Sequence, residues 1–224
     1  MNPRHATLAL TMLLSAFALA APAGAQDSFG SAPTPAQAQQ QQQPQPPPRP
    51  APQGFGTPAP APQGFGQAAP SAGQETQDLG VAPTSQLKSG GLHGPTPSAI
   101  PGGRLVTTPE LAQLLRDGSA QALVFDVLGG PQRLPNAIPV VPASQPGNFQ
   151  DTVQREFGQY LQQATQGRKD RPMVFYCQST QCWMSYNAAL RAIALGYTKV
   201  LWYRGGIEAW QQAGLPLQPA GQGN

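Results

Sequence analysis

The stretch Val174-Phe175-Tyr176-Cys177-Gln178-Ser179-Thr180-Gln181-Cys182-Trp183 decides the fold. An apolar run ends in a cysteine, turns through small polar residues and enters a helical pattern beside a second cysteine. These are the only two cysteines among 224 residues. A thiolate at a strand end, below amide N–H groups and a helix N-terminus, has a lowered pKa and a nearby site for an anion. Such a constellation suits sulfur or redox chemistry.

Strands and helices alternate outward from this stretch. Pro172 to Tyr176 has the continuous apolar character of a strand buried on both faces, and Met184 to Leu195 is a helix that Gly196 closes in the C-terminal capping position. Lys199 to Tyr203 is a further strand, running through Gly205-Gly206 into a last helix around Ile207 to Gln212. Upstream, Thr108-Pro109-Glu110 opens a helix with Leu111, Leu114 and Leu115 on one face, followed by the strand Ala122 to Val127. Gly129-Gly130-Pro131 and a proline-broken segment to Gly147 predict mainly loop. Val153, Phe157, Tyr160, Leu161 and Ala164 then recur at helical spacing. Strands joined by helices predict an α/β domain with a mainly parallel sheet covered on both faces. Ligands of such sheets bind beyond the carboxyl ends of the strands, where Asp126 and Cys177 fall.

The N-terminal third is of another kind. Arg4 precedes an apolar run from Ala6 to Ala20, and Ala23-Gly24-Ala25 supplies small residues before a cut ahead of Gln26. This is a secretory signal pattern, too short and wrongly flanked for a stable membrane span, so the expectation is export, to the periplasm or an equivalent compartment. Residues 26–97 are rich in Pro, Gln, Ala and Gly, a composition that predicts a disordered linker. Within it Ala51-Pro52-Gln53-Gly54-Phe55-Gly56 recurs as Ala61-Pro62-Gln63-Gly64-Phe65-Gly66, too few copies for a solenoid. The division expected is a signal peptide at 1–25, the linker at 26–97, one domain at 98–219 and a flexible tail at 220–224. Thirteen Lys and Arg stand against ten Asp and Glu, with Arg4 inside the leader, so charge gives no argument for nucleic acid.

The domain resembles the rhodanese family. The likeness rests on Val124-Phe125-Asp126-Val127, the Tyr176-Cys177 loop, Asn187-Ala188-Ala189 with Leu195-Gly196-Tyr197, and Gly205-Gly206-Ile207-Glu208-Ala209-Trp210 with Ala213-Gly214-Leu215-Pro216. It implies a three-layer α/β/α domain with Cys177 in the position of the persulfide-forming cysteine. It also implies an anion-binding cradle of backbone N–H groups over Gln178, Ser179, Thr180, Gln181 and Trp183. Converging amides would stabilise both a thiolate and a bound oxyanion. The chain departs from the family pattern in having Gln181 and Cys182 where many rhodaneses carry a basic residue, Leu128 after the strand-end Asp126, and Arg133-Leu134-Pro135-Asn136-Ala137 where a His-bearing segment is common.

A closer resemblance is to exported rhodanese-like proteins associated with catabolism that uses pyrroloquinoline quinone (PQQ) and marked by paired cysteines followed by tryptophan. Cys177, Cys182 and Trp183 correspond, although four residues separate the cysteines here instead of two. The likeness implies a periplasmic quinoprotein system as partner. No residue pattern identifies a site for the quinone, and no cofactor is expected.

Two cysteines five positions apart across a tight loop are a disulfide candidate, worth about 2 kcal/mol by loop entropy. Three readings stay open. Cys177 accepts a sulfane sulfur that Cys182 resolves; or the pair exchanges disulfides with a thiol partner protein, either cysteine being the lower-pKa thiol; or the bond is structural and the domain is a non-catalytic accessory module. Asp126 hydrogen-bonds backbone around the loop, tunes Cys177, or is a fold-stabilising acid at the strand end. Two cysteines lack the four ligands of a structural zinc, and His93, the one histidine beyond the leader, falls in the expected linker, so no metal is expected. Trp202 and Trp210 read as core, and Arg204 as a surface ion-pairing residue or an anion contact at the sheet edge.

Overall fold

The computed structural model describes residues 73–118 and 121–221. The expected signal peptide, the linker up to residue 72 and residues 222–224 of the expected tail lie outside them.

Five parallel strands form the central sheet: β1 (Arg104–Leu105), β2 (Leu123–Asp126), β4 (Ile138–Pro139), β5 (Met173–Tyr176) and β6 (Val200–Tyr203), in the spatial order β1-β6-β5-β2-β4. β5 is central, pairing Asp126 with Tyr176 on one side and Tyr176 with Tyr203 on the other. All four residues of β5 are buried, as its unbroken apolar character requires of a strand covered on both faces. Short β3 (Gln132–Arg133) and β7 (Gln218–Pro219) pair antiparallel outside the main sheet.

Helices cover both faces. α2 (Thr108–Asp117) and α5 (Gly206–Gln212) pack with Val124, Val174, Tyr176 and Tyr203 into one core. α3 (Thr152–Thr165) and α4 (Met184–Ala194) pack with Phe125, Phe175, Cys177 and Trp202 into the other. The period-two alternation along β5 sorts Phe175 and Cys177 to the second face and Val174 and Tyr176 to the first. Three layers, α/β/α, result. The rings of Phe125 and Phe175 stack at 5.0 Å between centroids, and Phe157 meets Phe175 edge-on. Local signals set the helix ends: Thr107 and Glu110 form a reciprocal capping box at α2, and the Asp151 carboxylate accepts from Gln154 N–H at the start of α3. Trp202 and Trp210 are buried.

The proline-broken segment is mainly loop, as expected, interrupted by β3, β4 and a 3-10 turn over Val141–Ser144. Two boundaries differ from expectation. At the C-terminus, Ala220 N–H donates to Pro131 O at 2.8 Å, so the fold runs past residue 219. The largest difference lies upstream. Residues 73–97, expected as linker, begin with the one-turn helix α1 (Gly73–Thr76) and lie as a strap across the carboxyl end of the sheet. Composition undervalued this segment because its order comes from hydrogen bonds to distant residues. The aliphatic residues Val81, Leu87 and Leu92, partly buried against the core, are the signal that marked it.

Candidate active loop and its strap

Cys177 leaves the end of β5, and its loop returns at Trp183 to start α4. Cys177 and Cys182 form a disulfide with Cα atoms 6.3 Å apart, each residue 1% exposed. The candidate pair is therefore brought together.

Two structures hold the loop by its carbonyls. On one side Cys177 O accepts from Ile207 N–H and Gln178 O from Glu208 N–H, both at 3.0 Å, at the first turn of α5. A trans peptide points its N–H opposite to its C=O, so these bonds turn the N–H groups of Gln178 and Ser179 away from α5. The N–H groups of Gln178, Ser179 and Thr180 donate to no other described residue, whereas Gln181 N–H donates to Ser179 Oγ and Cys182 N–H to Ser179 O. Part of the cradle that the resemblance implied is thus free. Gly206 makes the approach possible: its φ is +64°, and a Cβ there would lie 2.6 Å from Cys177 O.

On the other side lies the strap. Gly94 N–H donates to Gln181 O at 2.8 Å, Thr96 N–H to Thr180 O at 3.1 Å and Thr96 Oγ1 to the same oxygen at 2.7 Å. Leu92 O accepts from Trp183 N–H, and His93 pairs antiparallel with Cys182. Trp183, which the sequence alone leaves open as a pocket wall, a partner contact or a core aromatic, is buried by this strap: its Nε1 donates to Pro95 O at 3.0 Å and Lys88 Nζ stands 5.2 Å from its ring centroid. The α4 residues Tyr186 and Asn187 continue the attachment. The Tyr186 hydroxyl accepts from Thr84 N–H and donates to Thr84 O, and Asn187 exchanges two hydrogen bonds with the backbone of Lys88.

Arg204 anchors the strap's far end. It is 1% exposed and, among the described residues, forms no ion pair; its guanidinium donates to Thr96 Oγ1, Thr96 O, Glu75 O and Gln77 O at 2.7 to 2.9 Å. Four accepting oxygens offset the desolvation of the buried charge. The surface or anion-contacting role expected from sequence is replaced by this clamp. The Glu75 carboxylate accepts from the N–H and hydroxyl of Thr108 at the start of α2, and burial pushes its pKa up against those bonds. Arg204, Glu75, Thr96, Tyr186 and Asn187 were not legible as a set, because sequence separations of 80 to 130 residues have no local signature; the bonds span up to 129 positions.

Asp126 is buried at the end of β2, on the Tyr176 side of the sheet. Its carboxylate accepts from the N–H groups of Leu128 and Gly129, and burial raises its pKa although these bonds oppose the shift. It holds the β2 loop; the Cys177 side chain belongs to the other core. Gln178 is exposed and donates to the Glu208 carboxylate at 2.7 Å. Thus a carboxylate flanks the loop at Gln178, while the strap residues Lys88 and His93 stand at its Cys182–Trp183 end. A shallow depression lined by Gly102, Gly103, Arg104, Leu114 and Lys199 lies at the amino ends of the strands, away from the cysteines.

Residues 107–213 match the family model of the rhodanese-like domain. This segment is a rhodanese-like domain. A sulfurtransferase of Allochromatium vinosum is 47% identical over 49 residues, which are 22% of this chain and 44% of that protein. The chain thus spans less than half the length of this curated relative. Among solved structures, the BH2092 protein from Bacillus halodurans is similar at 22% identity, over 50% of this chain and 74% of that one, with a TM-score of 0.39. A protein of unknown function from Rhodopseudomonas palustris, RPA3614, titled a possible tyrosine phosphatase, is similar at 21% identity over 50% and 81% of the two chains, with a TM-score of 0.36.

Proposed function

We propose that this is an exported rhodanese-like protein that carries sulfur transfer, resolved by thiol–disulfide exchange, on Cys177. The observation that carries the proposal is the bond between Cys177, beyond β5 and where the resemblance puts the family's persulfide-forming cysteine, and Cys182 at the other end of the same loop. In the reduced protein the Cys177 thiolate attacks the outer sulfur of a sulfane donor and displaces the donor's remainder, leaving a Cys177 persulfide. The Cys182 thiolate then attacks the Cys177 sulfur, the bond to the outer sulfur breaks, and that sulfur leaves with the electron pair as hydrosulfide. The disulfide is the product of this step. A dithiol partner protein returns two electrons and two protons to restore the thiols. With Glu208 beside Gln178 and no basic side chain on the loop, donors less anionic than thiosulfate suit the site better.

The proposal extends to an accessory role beside a periplasmic quinoprotein in PQQ-dependent alcohol catabolism, on the likeness of Cys177, Cys182 and Trp183 to that subgroup. A second reading, a non-catalytic accessory module with a structural disulfide, is favoured by the burial of both cysteines. Intact mass spectrometry with thiol labelling separates the two. Reduced protein carrying Cys182→Ser should gain one sulfur on Cys177 from a sulfane donor, and the wild type should release sulfide and return to the disulfide. A bond that yields to reductant only when the domain unfolds would make the accessory reading the correct one.

A further inference from the structure

The disulfide sits at the centre of a site proposed to exchange electrons or sulfur, yet both cysteines are 1% exposed. A thiolate that attacks a disulfide must reach one of its sulfurs directly, so this closed arrangement cannot react as it stands. What covers the loop is a segment of the same chain, residues 92–96, together with the parts that fix it at Arg204, Tyr186 and Asn187.

We propose that the strap is a gate: the Cys177–Cys182 bond is reached by thiol partners only while residues 92–96 are detached, and the bond in turn holds the gate shut. Three features carry this. First, the contact is made of backbone hydrogen bonds from Gly94 N–H to Gln181 O, from Thr96 N–H to Thr180 O and from Trp183 N–H to Leu92 O, the pattern of a strand added to an edge. Such contacts break and re-form as a unit without disturbing the sheet. Second, the strap lies upstream of β1 and outside the parallel sheet, so its release leaves β2, β5 and β6 paired. Third, the carbonyls that hold it lie inside the ring closed by the disulfide. Reduction frees Cys182 from Cys177, lets Thr180 and Gln181 move, and weakens the acceptors of Gly94 and Thr96. By linkage, whatever opening the strap does to favour reduction, reduction does to favour opening. The oxidised protein is closed and the reduced protein open.

The inference rests on reading the cysteine pair as a working site, but its test does not require sulfur transfer. In the oxidised full chain, dithiothreitol reduces the bond by attack of one thiolate on a cystine sulfur, followed by closure of its own disulfide; two electrons pass to the protein. The rate should equal the open fraction times the rate of an exposed disulfide. Gly94→Pro removes the N–H that bonds Gln181 O and, with φ locked at about −65°, forces the strap out of the φ of +142° that Gly94 adopts, and Thr96→Val removes the hydroxyl shared by Thr180 O and Arg204. Neither touches the loop's own chemistry, and the pair guards against one variant failing to fold. Each should reduce at least tenfold faster than wild type. Hydrogen exchange at Thr96 and Trp183 should accelerate by a similar factor, while exchange along β5 stays unchanged.

Faster exchange of the strap amides with an unchanged reduction rate would overturn the gate. So would wild-type reduction that keeps pace with β5 exchange, since opening would then be unfolding of the whole domain. Failure of sulfane sulfur to load Cys177 while these rates behave as stated would refute the proposed chemistry and leave the gate standing.

Discussion

Gly206→Ala should be the most damaging single methyl added to this domain. Gly206 has φ +64°, and its Cα faces the successive carbonyls of Cys177 and Gln178, so that an added Cβ would meet the Gln178 carbonyl, its carbon at 2.5 Å, and Cys177 O at 2.6 Å. Real Cβ atoms do not approach backbone so closely, and no flexible side-chain end can yield. Alanine in the left-handed region costs about 1–2 kcal/mol. The required shift lengthens the bonds from Ile207 and Glu208 to Cys177 O and Gln178 O, each worth about 1 kcal/mol. Together these give about 3–4 kcal/mol, and for a unit of about 150 residues roughly 10 °C in Tm. Thermal unfolding of the oxidised protein by circular dichroism measures it. Gly196→Ala is the internal control, since φ there is +85° and nothing lies within 4 Å of the added Cβ; its cost should stay near 1–2 kcal/mol. A Gly206→Ala loss no larger than that of Gly196→Ala would refute the claim that α5 is seated directly on the Cys177 loop.

Two further outcomes concern charge. Burial opposes ionisation of Asp151, but bonds from Arg191, Gln154 and Asn148 hold its carboxyl below the usual range, so its stabilisation is present above the unfolded pKa and lost as pH falls through the folded one. Urea unfolding from pH 6 down to pH 2 should show an acid-limb loss that Asp151→Asn flattens; an unchanged slope would disprove the coupling to buried Arg191. Glu75 has the opposite sign. Its raised pKa means the fold favours the protonated form, so its contribution is full below the unfolded pKa and is lost as pH rises through the folded pKa. Exchange at Gly94 and Thr96, corrected for intrinsic rates, should therefore quicken as pH climbs above the carboxylate range, and Glu75→Gln should remove that dependence.

The site was unevenly legible. Cys177 announced itself because a strand-ending cysteine before small polar residues is a contiguous pattern, and the family's other motifs lie in order along the same domain. The loop's companion Cys182 was visible for the same reason. Arg204 was not: four residues of strand followed by an arginine and two glycines reads the same whether the guanidinium meets water or a buried set of carbonyls. Trp183 could be assigned to the loop but not to its state, because only the strap decides whether an indole there is a wall or a covered core residue.

The alternating strands and helices could be read from the chain alone, since hydrophobic period and capping residues are local: Val153, Phe157, Tyr160, Leu161 and Ala164 lie on a helix running from Thr152 to Thr165, and Met173–Tyr176 is buried throughout. So could the parallel sheet and hence the end at which Cys177 emerges. That residues 73–97 belong to the fold, and that the disulfide is covered, emerges from long-range contacts in the folded domain. Order in that segment comes from hydrogen bonds to Arg204, Tyr186, Asn187 and the loop carbonyls, partners supplied by a folded domain about a hundred positions away, and composition has no access to such donors and acceptors until the sheet has brought them to one edge.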